Sequence, residues 1–315
     1  MPDPLDPARL TPTASLNRAR IVDLPGLALD PDVRGRTGSE LLSAQALAAA
    51  IRPHAAALAL TAEEQSDDML LLPAFDRSLA SRDPAVRAVA RDLARRFGRS
   101  LGYLLLTLRR GDLVNRQARG EWDDTYWSHW AGIRAIWLGG GLVRGRLGRH
   151  IRRHATDLLA ASGASDLALR ISMSPTLLPI IGAARTVPPS MHRAALVLDF
   201  GGSAVKRVLA RYDDAGALAA LHPFPSLPAP RLAGDITSDP TPEQARSLAA
   251  EMACVIACSW REASTAHPDH PLNPSIPISL AAYVRNGHPL PRQIGTYAAP
   301  RALPENAASV LSQRV

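Results

Sequence analysis

The chain is poor in three residue types: among 315 residues there are two cysteines, one lysine and only 4% aromatics. Two cysteines exclude a disulfide scaffold and a four-cysteine zinc site. Long apolar runs are also missing, and none approaches the roughly 18 residues of a membrane span. The opening Met1-Pro2-Asp3-Pro4 has no apolar stretch behind it, so no signal peptide is expected. A cytoplasmic protein with no membrane partner is the resulting expectation. The shortage of lysine changes how the charge is read. Lys and Arg total 36 against 29 acids, a net charge of +7, with a sequence pI near 10.2. Such a balance can signal a polyanionic partner. Here every basic residue but Lys206 is arginine, beside abundant Ala and Pro. That is a bias of composition, and nucleic acid is not the expected partner on charge alone. The surviving Lys206 marks a position that needs a lysine.

What is present suits a folded protein: 46% hydrophobic and 21% charged residues, a globular balance. The length corresponds to about two domains. Residues 1–40 lack a sustained period and read as an extended arm, with a short strand at Arg20–Leu24. Residues 39–60 are Ala/Leu-rich, with Ser39 as an N-cap and Pro53 as an interruption. Asp83-Pro84 reads as an N-cap followed by Pro at the first helical position. Val86, Val89, Leu93, Phe97, Leu101, Leu104, Leu105 and Leu108 then recur at helical spacing. Residues 110–132 read as a polar loop carrying Trp122, Tyr126, Trp127 and Trp130, which either stack on a sugar or base or pack onto the body. Ile133–Leu138 is expected as a short buried strand, Leu167–Met173 as another, and Leu177–Ala184 as a helix. Pro188-Pro189 is the expected junction.

Beyond it, Ala194–Phe200 reads as a buried strand, Val205–Arg211 as its hairpin partner, and Ala217–His222 as a third strand. Thr241, Pro242 and Gln244 form a capping box that opens a helix. Ile276–Val284 is expected as a strand turning at Asn286-Gly287, and Pro304–Gln313 as the last helix. Strands alternating with helices in two halves point to a two-lobed α/β protein. The divisions are an arm and helical segment (1–65) and two α/β lobes (66–190 and 191–315).

The segment Leu196–Lys206 concentrates the chemistry. A buried strand delivers Asp199 to its end. Gly201-Gly202 then makes a turn where the backbone can approach a polyanion. Ser203 adds a hydroxyl, turn N–H groups can meet phosphate oxygens, and Lys206 adds a point charge. Asp199 is placed to hold hydrated Mg2+. The spacing is not a P-loop. A plain hairpin with a Gly-Gly turn is the competing reading.

Asp199-Phe200-Gly201-Gly202-Ser203-Ala204-Val205-Lys206 resembles the first phosphate motif of the actin-like ATPase and sugar-kinase superfamily, D-x-G-G-[ST]-x-x-K. The nearest branch is the ROK group of sugar kinases. Ala135–Val143, with Gly139-Gly140-Gly141, resembles that group's glycine-rich adenosine motif, and Leu178–Ala184 resembles its closing Gly-Ala-Ala helix. The competing reading of the glycine run is a strand-to-helix turn, and it does not fit a Rossmann fingerprint. The resemblance implies two RNase H-like lobes around a cleft, ATP and Mg2+ as cofactors, and a sugar or sugar-like hydroxyl as phosphate acceptor. Asp199 would hold the metal, and Gly201, Gly202, Ser203 and Lys206 the phosphates. Gly139, Gly140 and Gly141 would meet adenosine. A homodimer is compatible with it.

Three departures qualify the resemblance. The adenosine-type half (66–187) precedes the phosphate-type half (193–315), the reverse of the family order, as in a circular permutation. The family's catalytic-aspartate motif and second phosphate motif are missing. Glu305-Asn306-Ala307-Ala308 is a partial echo without the acid. Asp235, in Gly-Asp-Ile-Thr, is the candidate for the base. The family's zinc site is absent too, since Asp30–Glu40 holds no Cys or His. An ATP-dependent phosphotransferase is therefore weighed against a catalytically inactive nucleotide- or sugar-binding sensor or scaffold. Of the minor features, the basic run Arg144, Arg146, Arg149, His150, Arg152, Arg153 and His154 reads as a solvated helix face. Cys254 and Cys258 read as two core thiols, and His267, Asp269 and His270 as a turn.

Overall fold

The computed structural model describes residues 15–187, 193–202, 204–230, 240–268, 271–282, 284–285, 288–289 and 296–302. The chain is mixed α/β and divides into two compact units, Met1–Thr176 and Leu177–Val315.

In the N-terminal unit, α1 (Gly38–Leu42) is capped by Thr37, whose hydroxyl accepts from the Glu40 amide while the Glu40 carboxylate accepts from the Thr37 amide. The cap is thus Thr37 and not Ser39, because the Thr-x-x-Glu spacing closes a capping box two residues earlier. Ser43 caps α2 (Ala44–Ile51), which gives way to a 3-10 turn, Arg52–His54, where Pro53 enters. Next come α3 (Ala62–Ser66) and α4 (Asp68–Ser78). The longest helix is α5 (Pro84–Arg110). Asp83 caps it, Pro84 occupies its first position, and Gly111 ends it at φ +54, a left-handed conformation that favours glycine.

Residues 110–132, expected as a loop, form α6 (Leu113–Gln117) and α7 (Asp124–Gly132). Their aromatics are core. Trp122, Tyr126 and Trp127 are buried with Tyr103, Leu105 and Leu159, and Trp122 stacks on Tyr126 at 5.5 Å. A helical period interrupted by polar side chains conceals such an aromatic face. Strand β1 (Ala135–Leu138), helix α8 (Arg146–Ala161) and strand β2 (Ala168–Ile171) follow as one β-α-β unit, with β1 and β2 parallel. The strand expected to be buried, β1, turns Ala135 and Trp137 outward, and Trp137 is 54% exposed.

The arm at 15–37 does not form the expected strand; it makes a single bridge, Arg20↔Thr37. Buried Asn115 takes the place of a neighbouring strand. Its Oδ1 accepts from the Val22 and Asp23 amides, and its Nδ2 donates to the Asp23 carbonyl. Backbone groups that would otherwise be orphaned are satisfied. Arg99 of α5 grips Asp30 through two bonds of 2.8 Å and holds that carboxyl below its usual pKa.

Helices α5 and α8 pack along each other. A Cβ on Gly98 would come within 2.9 Å of the His154 Cβ, and one on Gly102 within 2.8 Å of Leu158 Cδ2. The two glycines thus set the helix separation. His150 and His154, at this contact, stack with centroids 6.1 Å apart. Both have lowered pKa values. For His150 the cause is burial first, then His154, Arg91, Arg153 and Arg149. For His154 it is burial first, with Arg153, Arg95 and Arg99 adding and Asp157 opposing. In the unfolded chain both titrate near 6.5, so on acidification the unfolded state takes up protons first. Stability is full above that pH and falls as pH drops below it. The melting temperature is expected to fall between about pH 7 and pH 5, and a His150→Gln/His154→Gln variant to flatten that fall. A variant profile as steep as that of the parent would contradict this assignment.

The C-terminal unit begins with α9 (Leu178–Ala184). Three antiparallel strands follow: β3 (Ala194–Phe200), β4 (Ala204–Tyr212) and β5 (Leu218–Pro228). Helix α10 (Pro242–Ala266), with the expected Thr241–Gln244 capping box, leads to β6 (Ile278–Leu280), parallel to β3. The sheet order is β5-β4-β3-β6. The expected strand over 276–284 is therefore shorter. Beyond it β7 (Val284–Arg285) pairs with β8 (His288–Pro289), and a 3-10 stretch covers Thr296–Ala302.

All seven residues of β3 are buried. Leu196, Leu198 and Phe200 face a core with Leu248, Met252 and Ile256 of α10. Val197 faces the other side, with Ile180 and Ala184 of α9. Cys254 and Cys258 are exposed, not core, because α10 turns Leu248, Met252 and Ile256 inward instead. Pro188-Pro189 and the helix expected at 304–313 lie outside the described residues. The division falls earlier, at Thr176/Leu177, since α9 packs on β3 and β4 through Val197, Val208 and Ala210. No helix among the described residues is long and apolar enough to cross a membrane.

Candidate functional site

Asp199 sits one residue from the end of β3, directly across from Lys206 on β4 and from Ser279 on β6. Alternation along the strand puts it on the same side as Val197. The carboxylate is 5% exposed, and its Oδ2 accepts from Lys206 Nζ at 2.7 Å. The lysine is more open to solvent than its partner. The one lysine of the chain therefore neutralises a buried carboxylate at the hairpin's turn end, and such a charge is tolerated there only when paired.

The turn itself is tightly tied on one side and open on the other. The Gly201 amide donates to the carbonyls of Asp199 and Ala204, each at 3.1 Å. A Cβ on Gly201 would meet the Ala204 carbonyl at 3.0 Å, whereas one on Gly202 would meet nothing within 4 Å. Gly201 thus serves the fold, and Gly202 leaves the backbone approachable. Ser203, between Gly202 and β4, lies outside the described residues, as do Asp235 and Glu305–Ala308.

Tyr297 has no motif around it in the sequence, yet it completes this turn. Its hydroxyl donates to the Gly201 carbonyl at 3.1 Å, and its ring meets Phe200 edge-on at 6.0 Å. Burial, then the negative charge of Asp199, pushes its pKa up to about 12, so it stays a donor at neutral pH. Tyr297→Phe is expected to cost about 1 kcal/mol, the net worth of one hydrogen bond, read as a lower denaturation midpoint with an unchanged slope. An unchanged midpoint would show that the hydroxyl does not hold the turn.

Arg207, next to Lys206, points to the opposite face and is 4% exposed. Its Nε and Nη2 donate to the Pro225 carbonyl at 3.0 and 2.7 Å, and its Nη1 reaches Glu262 Oε2 at 2.5 Å. It ties β4 to β5 and α10 and belongs to the scaffold beneath the site.

In the N-terminal unit, Gly139, Gly140 and Gly141 are exposed and join β1 to a 3-10 turn, Gly141–Val143, ahead of α8. Gly140 adopts φ +96, and its amide donates to the Pro175 carbonyl at 2.8 Å. The run is thus a strand-to-helix turn in which one position demands glycine. A Cβ on Gly140 or Gly141 would meet nothing within 4 Å, so this backbone too is open to a ligand. In the basic run, Arg149 and Arg152 are exposed, while Arg146 and Arg153 lie 3.8 Å from Asp76 and Asp157. His267 packs against Phe224, while Asp269 and His270 lie outside the described residues.

Among the described residues no three His, Cys, Asp or Glu side chains gather as a metal-binding group. Asp199 is a single carboxylate. That donor set suits only an ion that keeps most of its waters and binds through one or two carboxylates and substrate phosphates, which is the habit of Mg2+. Comparison with models of known protein families, with curated proteins and with solved structures gave no match.

Proposed function

We propose that the chain is an ATP-dependent phosphotransferase acting on a sugar or sugar-like hydroxyl. The observation that carries this reading is the Asp199–Lys206 pair, 2.7 Å apart, beside the open backbone of Gly202. The resemblance of Asp199–Lys206 and of Gly139–Gly141 to the ROK motifs supports it. So does the sheet of the C-terminal unit. Three antiparallel strands, a helix and a fourth strand parallel to the first are how an RNase H-like lobe begins. The N-terminal unit carries a two-stranded sheet among the described residues, so the lobe assignment leans on the C-terminal one.

In this reading Lys206 supplies the positive charge for the phosphates, the Gly202 amide and the Ser203 hydroxyl supply donors, and Gly201 holds the turn that lets the phosphates approach. Asp199 would hold hydrated Mg2+, which when bound would offset phosphoryl charge, and Lys206 would stand between that carboxylate and the phosphate oxygens. By the resemblance, Gly139, Gly140 and Gly141 would meet adenosine. Asp235 is the candidate to accept the acceptor's proton.

The second reading is a nucleotide- or sugar-binding sensor or scaffold without catalysis. One observation favours it. Among the described acids of the C-terminal unit, Asp199 alone sits at the hairpin's glycine end, and Lys206 already holds it. Asp213 and Asp214 belong to the far turn, Glu243 and Glu251 to α10, and Glu262 to Arg207. Loss of a general base lowers a rate by about 10²–10⁴. The test is ADP release against hexoses, amino sugars and cyclitols. The phosphotransferase reading expects turnover on one acceptor class, abolished in Asp199→Asn and cut by about the same 10²–10⁴ in Asp235→Asn. ATP binding without turnover on any acceptor decides for the sensor or scaffold.

A further inference from the structure

We infer that Cys254 and Cys258, on the outer face of α10, form a chelating site for one soft monovalent cation of the Cu+ type. The chain has two cysteines, and both are free and exposed. Cysteine is among the residue types most often buried, so the placement of both in solvent is unusual. They stand four residues apart on a single 25-residue helix. Leu248, Met252 and Ile256 pack the other side of α10 into the core, which fixes the face that carries the thiols. Side chains at this spacing are neighbours, with Cβ atoms about 5–6 Å apart. That is too wide for a disulfide, whose Cβ atoms lie about 3.8 Å apart. It suits a bridging ion, because thiolate–metal bonds of about 2.3 Å place two sulfurs about 4.6 Å apart across it.

The donor set selects the ion. Among the described residues no third His, Cys, Asp or Glu completes a metal-binding group with the pair, whereas a structural zinc site takes four ligands. Thiolates prefer soft ions such as Cu+, which bind two sulfurs in line. Arg261, three residues past Cys258, donates from its Nη2 to Cys258 Sγ at 3.3 Å. Two thiolates around a monovalent ion carry one net negative charge, and the guanidinium offsets it. The neighbouring acids do not compete for the ion. Glu262 is held by Arg207, and Glu251, three residues before Cys254, is an exposed hard oxygen donor that a soft ion passes over. This site uses none of the glycine-turn residues and does not rest on the nucleotide reading.

The test is anaerobic titration of the full, reduced chain with Cu+ held by a coloured bidentate chelator. The chain is expected to take one Cu+ from the chelator. Cys254→Ser and Cys258→Ser should each abolish that uptake. Arg261→Gln should weaken it about tenfold, the lower end of what losing the hydrogen-bond partner of a metal ligand costs. All three side chains are exposed, so circular dichroism of the variants should match that of the parent. Zn2+ offered in the same way should stay with its chelator. No Cu+ uptake by the parent, or uptake unchanged in either cysteine variant, would overturn the site. One ion shared by two chains, seen as an ion-dependent dimer in size-exclusion chromatography, would overturn the single-helix chelate. Zn2+ bound as tightly as Cu+ would overturn the ion class, and an unchanged affinity in Arg261→Gln the role of the arginine.

Discussion

Arg207→Ala is expected to lower the stability of the C-terminal unit by about 3 kcal/mol, the lower end of what breaking a buried ion pair costs. The guanidinium of this β4 residue is the common partner of two other elements. It holds the Pro225 carbonyl of β5 through two donors and Glu262 of α10 through a third, and it stands over the Phe224 ring at 5.8 Å. Alanine orphans the carbonyl and removes the packed stem. The figure stays at the low end because the Glu262 side chain is 45% exposed and can regain water. Lysine keeps the charge but lacks the fork that serves β5 and α10 together, so Arg207→Lys should recover only part of the loss. Urea unfolding followed separately for each unit reads both effects. A midpoint for Arg207→Ala equal to that of the parent would mean that the arginine does not hold the sheet to α10.

Lys206→Ala has the second large effect. Removing the lysine leaves Asp199 buried with its countercharge gone, at a cost of about 1–3 kcal/mol or more for a charged group. Lys206→Ala should therefore unfold at a lower urea concentration than the parent at neutral pH. Adding Asp199→Asn to the lysine variant should recover part of that loss, because a carboxamide leaves no buried charge behind. Equal loss with and without Asp199→Asn would show that the two charges are not coupled.

How far the sequence foretold these elements depended on whether the signal was local. Asp83-Pro84 and Thr241-Pro242 with Gln244 open helices as read, since caps act within one turn. The β3–β4 hairpin was legible because a continuous apolar run ends at Gly201-Gly202. The arm was not, because its partner is Asn115, far along the chain. Nor was the helical state of residues 110–132, where buried Trp122 and Trp127 outweigh the polar composition. The exposed face of β1 was missed because Trp137 reads as core in any composition-based account.

At the candidate site the pairing of Asp199 with Lys206 follows from strand register, which an eight-residue motif can suggest. Tyr297 could not be found this way. It reaches Gly201 from a 3-10 stretch nearly a hundred residues away, and a lone tyrosine carries no spacing signal.

The central claim is that the Asp199–Lys206 hairpin receives the phosphates of Mg-ATP. Thermal unfolding of the parent and of Lys206→Ala, each with and without millimolar Mg-ATP, tests it most directly. A ligand at about a hundredfold excess over its dissociation constant stabilises the folded state by about 2.7 kcal/mol. The parent is expected to melt several degrees higher with Mg-ATP, and Lys206→Ala to lose most of that gain beyond its own lower baseline. No shift in the parent, or an equal shift in both proteins, would contradict the claim.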